Sequence, residues 1–437
     1  MSGPRIVITG LGAVTPLGLT VDEMWSGLSA GACGIDRITA FDPVGFTCRI
    51  AGEAPPFDVR KHVPKSHRKA TKLMSRDIEL SVLAAAEALR NSGIVTKGIH
   101  PDGINVDPAR MAVNLGAGLI SCDLVELAPA VAASVENGTF DLRKWGTEGL
   151  QRVTPLWLLK YLPNMLACHI GIIHDIRGPS NTITCAETAS HLAIAEATHT
   201  IARGSSDIAV AGGAEAKVNP IVMIRQCLTG RAASAGNNEP KAACRPFDAD
   251  ATGSVFGEAA GIIVMENLDH AVARGANALA EIAGIGSSNS IATPYEHMEP
   301  EGTGLRIAME KALADAEIQP ADIDLVIPHG TAIPRDDLAE AKALADLLGP
   351  AAETTPVWPT KSMLSNTGAA AGGVDIVAAV CAMQQNTIPA PRNCNRPAAA
   401  SLAIPLEPIQ KELRHVLCCS YTYGGQTAAV VLKKFAD

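Results

Sequence analysis

The sequence is poor in aromatic residues: 7 Phe, 4 Trp and 4 Tyr make up 3% of 437 residues. Its core must therefore be built from Ala, Val, Ile and Leu, and the 47% hydrophobic content supplies them. Charged residues are only 19%, a balance that excludes a disordered or fibrous chain. No apolar run approaches the roughly 18 residues that span a bilayer. There is no basic excess. Lys and Arg number 36 against 45 Asp and Glu, a net charge of −9, which argues against nucleic acid and anionic membrane surfaces as partners. The eleven Cys include no C-x-x-C pair, so a reduced, cytoplasmic protein with small buried thiols is expected rather than a disulfide framework. The opening MSGPRIVITGLGAVTPLG lacks a charged region followed by a long apolar stretch, and reads as a strand and turn rather than a signal peptide.

What is present is alternation. IVITGLGAV (6–14) is a β-branched run ending in Gly, hence a buried strand. IELSVLAAAEALRNSG (78–93) has apolar residues at helical spacing and a Gly stop. MAVNLGAGL (111–119) is a further strand. NTITCAETASHLAIAEATHTIARG (181–204) reads as a strand turning into a helix at about Cys185, and IAVAGGAEA (208–216) as another strand. The second half repeats the order with LAEIAGIGSS, GLRIAMEKALADAEI, IDLVIPHGTA and PTKSMLSNTGAAAGGVDIVAAVCAM, and closes with two strands around the Gly turn of HVLCCSYTYGGQTAAVVL. This spacing suggests two related α/β halves, 1–266 and 267–437, with 120–165 and 217–258 as insertions near a site or an interface. Helix–strand alternation of this kind predicts mostly parallel sheets covered by helices. Ligands bind such sheets at the carboxyl ends of strands, which puts Cys185, His329, Asn366 and the turn near residue 422 at equivalent ends.

Cys185 falls at a strand-to-helix junction, where free amides and the helix dipole favour a thiolate; the plain alternative is one buried Cys among eleven. His329 follows an apolar strand and is placed for general-base or hydrogen-bond work, or is an ordinary loop His. Lys361 and Asn366 lie in the second strand-to-helix turn. Asn donates hydrogen bonds but takes up no proton at neutral pH, and it is also a common turn residue. The amides of the SYTYGGQT turn (420–427) offer half of an oxyanion hole with that of Cys185, or form a plain hairpin. G-L-G at 10–12 lacks the third Gly of a dinucleotide loop, and Pro16 interrupts the expected helix. His169 and His174 are not at zinc-ligand spacing, so no metal is expected.

Taken together, VITGLGAVTPLG, LPNMLACHIGIIHDIRGP, the TC-A-x-T-A segment, RPFDADATGSVFGEAAGIIVME, HGTAIPRDDLAE, TKSM and the terminal GGQ turn resemble the β-ketoacyl-acyl-carrier-protein synthases of the class I/II type, over nearly the whole chain. The resemblance implies a thiolase-like fold: two pseudo-duplicated βαβαβαββ halves stacked in α-β-α-β-α layers. It implies Cys185 as the nucleophile that takes the acyl chain from pantetheine, His329 as the first active-site His and Lys361 as the active-site Lys. Glu340 and Thr331 become supporting residues of the HGT motif. Tyr423 matches a Phe that gates the acyl pocket and gives an oxyanion-hole amide. It further implies decarboxylative Claisen condensation with malonyl-acyl carrier protein. The substrates would arrive on carrier phosphopantetheine with no other cofactor, and the protein would be a homodimer.

Several positions depart from the family. Asn366 replaces a second His, Ile333 a Thr facing pantetheine, Thr422 a flexible Gly beside the gate and Glu187 a small residue after the nucleophile. The segment after GSS (286–288) lacks the usual Thr-rich stretch. A Cys–His–Asn trio is what class III synthases use, so condensation remains the expectation. The alternative is a non-elongating acyl-binding or acyltransferase variant, or a non-catalytic partner in a heterodimer with another ketosynthase-like subunit.

Overall fold

The computed structural model describes residues 3–291, 297–398 and 402–435; residues 292–296, in the segment after GSS, lie outside them. Nine strands carry the fold. They are β1 (Ile6–Val14), β2 (Met111–Ala117), β3 (Ser180–Ile183), β4 (Ile208–Ala216), β5 (Glu258–Asn267), β6 (Ala280–Asn289), β7 (Leu325–Ile327), β8 (His415–Tyr421) and β9 (Gln426–Lys434). Every residue of β1 is buried, as a β-branched run covered on both faces must be. The helices that matter for the site are α1 (Arg76–Asn91), α2 (Ala189–Ala202), α3 (Pro220–Leu228), α4 (Thr303–Asp315), α5 (Pro334–Leu348) and α6 (Ala371–Gln385).

The strands are hydrogen-bonded in the order β7-β8-β9-β6-β1-β5-β4-β2-β3. Read inward from the last edge, 3-2-4-5-1 is answered by 7-8-9-6 from the other, and a parallel bridge from Val326 to Val357 stands where the second half would have its own edge strand. The halves meet where β1 pairs with β6 at Val7–Glu281 and Ile8–Ala280. The parallel expectation is corrected. Only β2–β3, β2–β4 and β7–β8 run parallel. The returns from β4 to β5 and from β8 to β9 reverse direction, and β1 and β6 oppose their neighbours.

α1 packs outside β1, β5 and β4, and α4 outside β6 and β9. Acidic Asp77 and Glu79 open α1, Arg90 closes it, and Gly93 at φ 72° ends it, all favourable to the helix dipole and the C-terminal turn. Between the half-sheets lie α2 and α6, which touch each other and strands of both halves. The five-layer α-β-α-β-α stack follows. Close approach in the middle layer rests on Gly261 of β5 and Gly373 of α6, since a methyl on Gly261 would overlap the backbone nitrogen of Val374. Residues 120–165 form a short helix, a hairpin and irregular turns, leaving Val125, Leu142 and Leu150 exposed.

Candidate active site

Cys185 follows the end of β3 and is half-buried. Helix α2 does not start at it. A single 3-10 turn, Ala186–Thr188, intervenes, and Ala186 holds φ 45° to make the bend. The Cys185 carbonyl accepts from the Thr188 amide at 3.2 Å and its hydroxyl at 2.8 Å. Burial pushes the thiol pKa up. Burial thus opposes the thiolate that the amides at this helical end favour.

His329 sits just past β7, fully buried, its ring edge-on to Tyr421 at 4.7 Å between centroids. The loop is shaped from behind by Glu340 on α5. Its carboxylate accepts the amides of His329 at 2.6 Å and Gly330 at 2.7 Å. Burial raises the Glu340 pKa to about 7 even though these amides oppose the shift. Burial, then the charges of Lys361 and Arg231, hold the His329 pKa well below its usual value, so the ring is neutral. Thr331 turns inward. Its hydroxyl donates to Asp337 at 3.2 Å and shares a bond with the Tyr421 hydroxyl at 3.3 Å, so it fixes the loop rather than facing a substrate.

Lys361 is buried and its ammonium lies 3.0 Å from Asp375 of α6. Asn366 is also fully buried. Its backbone is locked between Val255 and Gly257, and its Oδ1 accepts from the Gly368 amide at 3.0 Å. Its Nδ2 and both ring nitrogens of His329 bond no described residue. The turn at 368–370 packs on the turn at 186–188, and the Ser190 hydroxyl donates to the Ala369 carbonyl. The Asn366 and Cys185 turns are thereby brought together. The backbone amides of Cys185 and Tyr423 likewise bond no described residue.

The two departures near the gate are one feature. Thr422 Oγ1 donates to Glu187 Oε2 at 2.6 Å, both groups buried. Glu187 belongs to a charged cluster that sequence reasoning missed. Lys217 pairs with Glu215 at 3.0 Å, Arg231 with Asp336 at 3.2 Å, and the Arg231 guanidinium lies over the Tyr423 ring at 5.1 Å. Burial would raise the Glu187 pKa, but Lys217, Arg231 and the Thr422 hydroxyl together bring it below the usual value. Lys217 is raised against burial by Glu215 and Glu187. Glu187 was visible in the sequence as a misplaced charge. Asp375 and Tyr421 carried no such signal, because their partners Lys361 and Thr331 lie 14 and 90 residues away.

Residues 4–271 match the family model "Beta-ketoacyl synthase, N-terminal domain", and residues 279–395 match "Beta-ketoacyl synthase, C-terminal domain". The chain is 33% identical to 3-oxoacyl-[acyl-carrier-protein] synthase 2 of Vibrio cholerae, covering 99% of this chain and all of that one. It is 32% identical to the Staphylococcus aureus protein of the same name, covering 99% and 98%. A beta-ketoacyl synthase structure from Burkholderia phymatum superposes with a TM-score of 0.86 at 28% identity over 99% and 100% of the two chains. The ishigamide ketosynthase/chain length factor gives 0.84 at 25% over the full length of both. The chain belongs to the beta-ketoacyl synthase family.

Proposed function

We propose that this enzyme condenses an acyl chain held on Cys185 with malonyl-acyl carrier protein, through a Cys185–His329–Asn366 site. The reading is carried by the buried, unpartnered nitrogens of His329 and Asn366: the turn after Asn366 packs on the nucleophile turn, and His329 packs on Tyr421 of β8, a strand that touches that same turn. Buried donors left without partners cost stability, and a ligand oxygen is the natural partner. In the first half-reaction Cys185 Sγ forms a bond to the acyl carbonyl, the carrier sulfur leaves with the thiol proton, and the amides of Cys185 and Tyr423 bind the developing oxyanion. In the second, the C–CO₂ bond of malonyl breaks and CO₂ departs. Neutral His329 and Asn366 donate to the thioester oxygen of the enolate, its carbon attacks the acyl carbonyl, and the bond to Cys185 breaks. Burial keeps His329 neutral, and Lys361, held by Asp375, adds to it. Glu340 and Thr331 position the His329 loop, and Thr422 anchors the gate turn.

The substrates arrive on carrier phosphopantetheine, with no other cofactor. Exposed Lys61, Lys65, Arg68, Lys69 and Lys72 have no ion-pair partner among the described residues, a local basic face on an acidic chain. It suits an acidic carrier. β3 is a sheet edge beside Cys185, and an open edge with exposed Leu119 and Val125 nearby supports a homodimer. The halves 1–266 and 267–437 fold together as one enzyme. No helix among the described residues is long and apolar enough to cross a membrane, and a cytoplasmic site suits eleven free Cys.

Intact-mass spectrometry after incubation with an acyl-carrier series tests this reading. Wild type is expected to gain one acyl group that Cys185→Ala never gains, and malonyl carrier then removes it as ketoacyl product. An adduct that malonyl carrier leaves in place, with Asn366→His restoring turnover, favours the non-elongating variant. No adduct with any chain favours the heterodimer partner.

A further inference from the structure

A cavity of about 340 Å³ is lined by Thr184 and Ala186, the two sequence neighbours of Cys185, and by Tyr423 of the gate turn. The far wall is not what a saturated chain requires. It holds Glu215 and Lys217, and it is completed by Arg225 and Gln226 of α3. Glu215 and Lys217 neutralise each other. Arg225 has no acidic partner among the described residues. Gln226 is only 5% exposed, yet its carboxamide bonds no described residue. Two donors, one a partly exposed cation and one on a residue that is nine-tenths buried, therefore line the cavity that the sequence neighbours of Cys185 also line, without a partner among the described residues.

We propose that this cavity receives an acyl group ending in a carboxylate, which Arg225 and Gln226 bind, and that these two residues set the preference of the enzyme for such acyl groups. The proposal rests on the reading of Cys185 as the acyl acceptor. A methyl terminus placed here would desolvate both donors without replacing their bonds, whereas a carboxylate gives Arg225 a charge-assisted pair and Gln226 an acceptor. Sites built to hydrogen-bond a substrate reject analogues lacking the partner far more strongly than apolar pockets discriminate by size. The volume, near the low end for ligand pockets, suits a short chain.

The test compares loading of Cys185 from succinyl-carrier and 4-methylpentanoyl-carrier, which match in shape and differ in carboxylate against isopropyl. Rates are read by intact mass without malonyl carrier. Wild type is expected to load succinyl about ten- to a hundred-fold faster. Arg225→Met is expected to bring the two rates within a few-fold of each other, and Gln226→Leu to narrow the gap independently should the first variant fold poorly. Equal rates in wild type, or a preference for 4-methylpentanoyl, overturn the proposal. Unchanged loading in Arg225→Met with slower use of malonyl carrier also overturns it, because Arg225 then serves the extender. If wild type loads neither acyl group nor any other, the acceptor role of Cys185 itself fails.

Discussion

At the scale of single residues, the site joins neutral donors to buried charge, and its pairs are expected to respond unequally. Asp375→Ala leaves the Lys361 ammonium buried without its partner and is expected to cost about 3–5 kcal/mol in urea unfolding. A loss below about 1 kcal/mol would mean the pair is solvated. His191, buried against α6 and bonded to Ser420 at 2.8 Å, has its pKa lowered to about 3 by burial and by Lys361. The unfolded chain binds that proton near pH 6.5 and the folded one does not, so the contribution of this group is lost as pH falls below 6.5. Between pH 6.5 and 5 the wild type is expected to lose roughly 2 kcal/mol more than His191→Gln. Parallel curves would show that His191 is charged in the fold. Cys185 and His329 were legible in the sequence because each follows a strand, and Lys361 and Asn366 because they stand in the TKSMLSNTG motif, although only an isolated bridge at Val357 precedes them. The separate turn before the helix was not legible, because the periodicity of ASHLAIAEATHTIA does not reveal it.

At the scale of elements, the Glu187–Thr422 bond ties the nucleophile turn to the gate turn between β8 and β9. Thr422→Val keeps the shape and removes the donor. It is expected to speed hydrogen exchange at Tyr423–Gly425 several-fold while leaving the central strands unchanged. Equal exchange would mean that the turn is held by its backbone bonds alone. Gly261→Ala is expected to destabilise by about 1–3 kcal/mol or more, because rigid backbone of α6 occupies the space. The strands and the duplicated order were readable from apolar runs and Gly stops. Strand direction was not, because alternation alone does not say where each half turns back, as β4 to β5 and β8 to β9 do. The polar wall of the cavity was equally hidden, since α3 lies in an insertion without a counterpart in the other half.

At the scale of the whole molecule, the acidic chain carries exposed, unpaired basic residues between 61 and 72, and their value is expected to lie in carrier encounter rather than chemistry. Reversing Lys65, Arg68 and Lys69 to Glu should raise KM for the carrier about ten-fold, leave kcat within two-fold and flatten the salt dependence. A loss confined to kcat would place the carrier elsewhere. The central claim is that neutral His329 and Asn366 together hold the malonyl enolate. It is tested most directly by CO₂ release from malonyl-acyl carrier protein by wild type, Asn366→Ala and His329→Ala. The expected result is measurable release in wild type and a loss of about 10²–10³-fold in each single variant, with little further loss in the double. Release by Asn366→Ala at the wild-type rate, or no release by wild type at any carrier concentration, would contradict it.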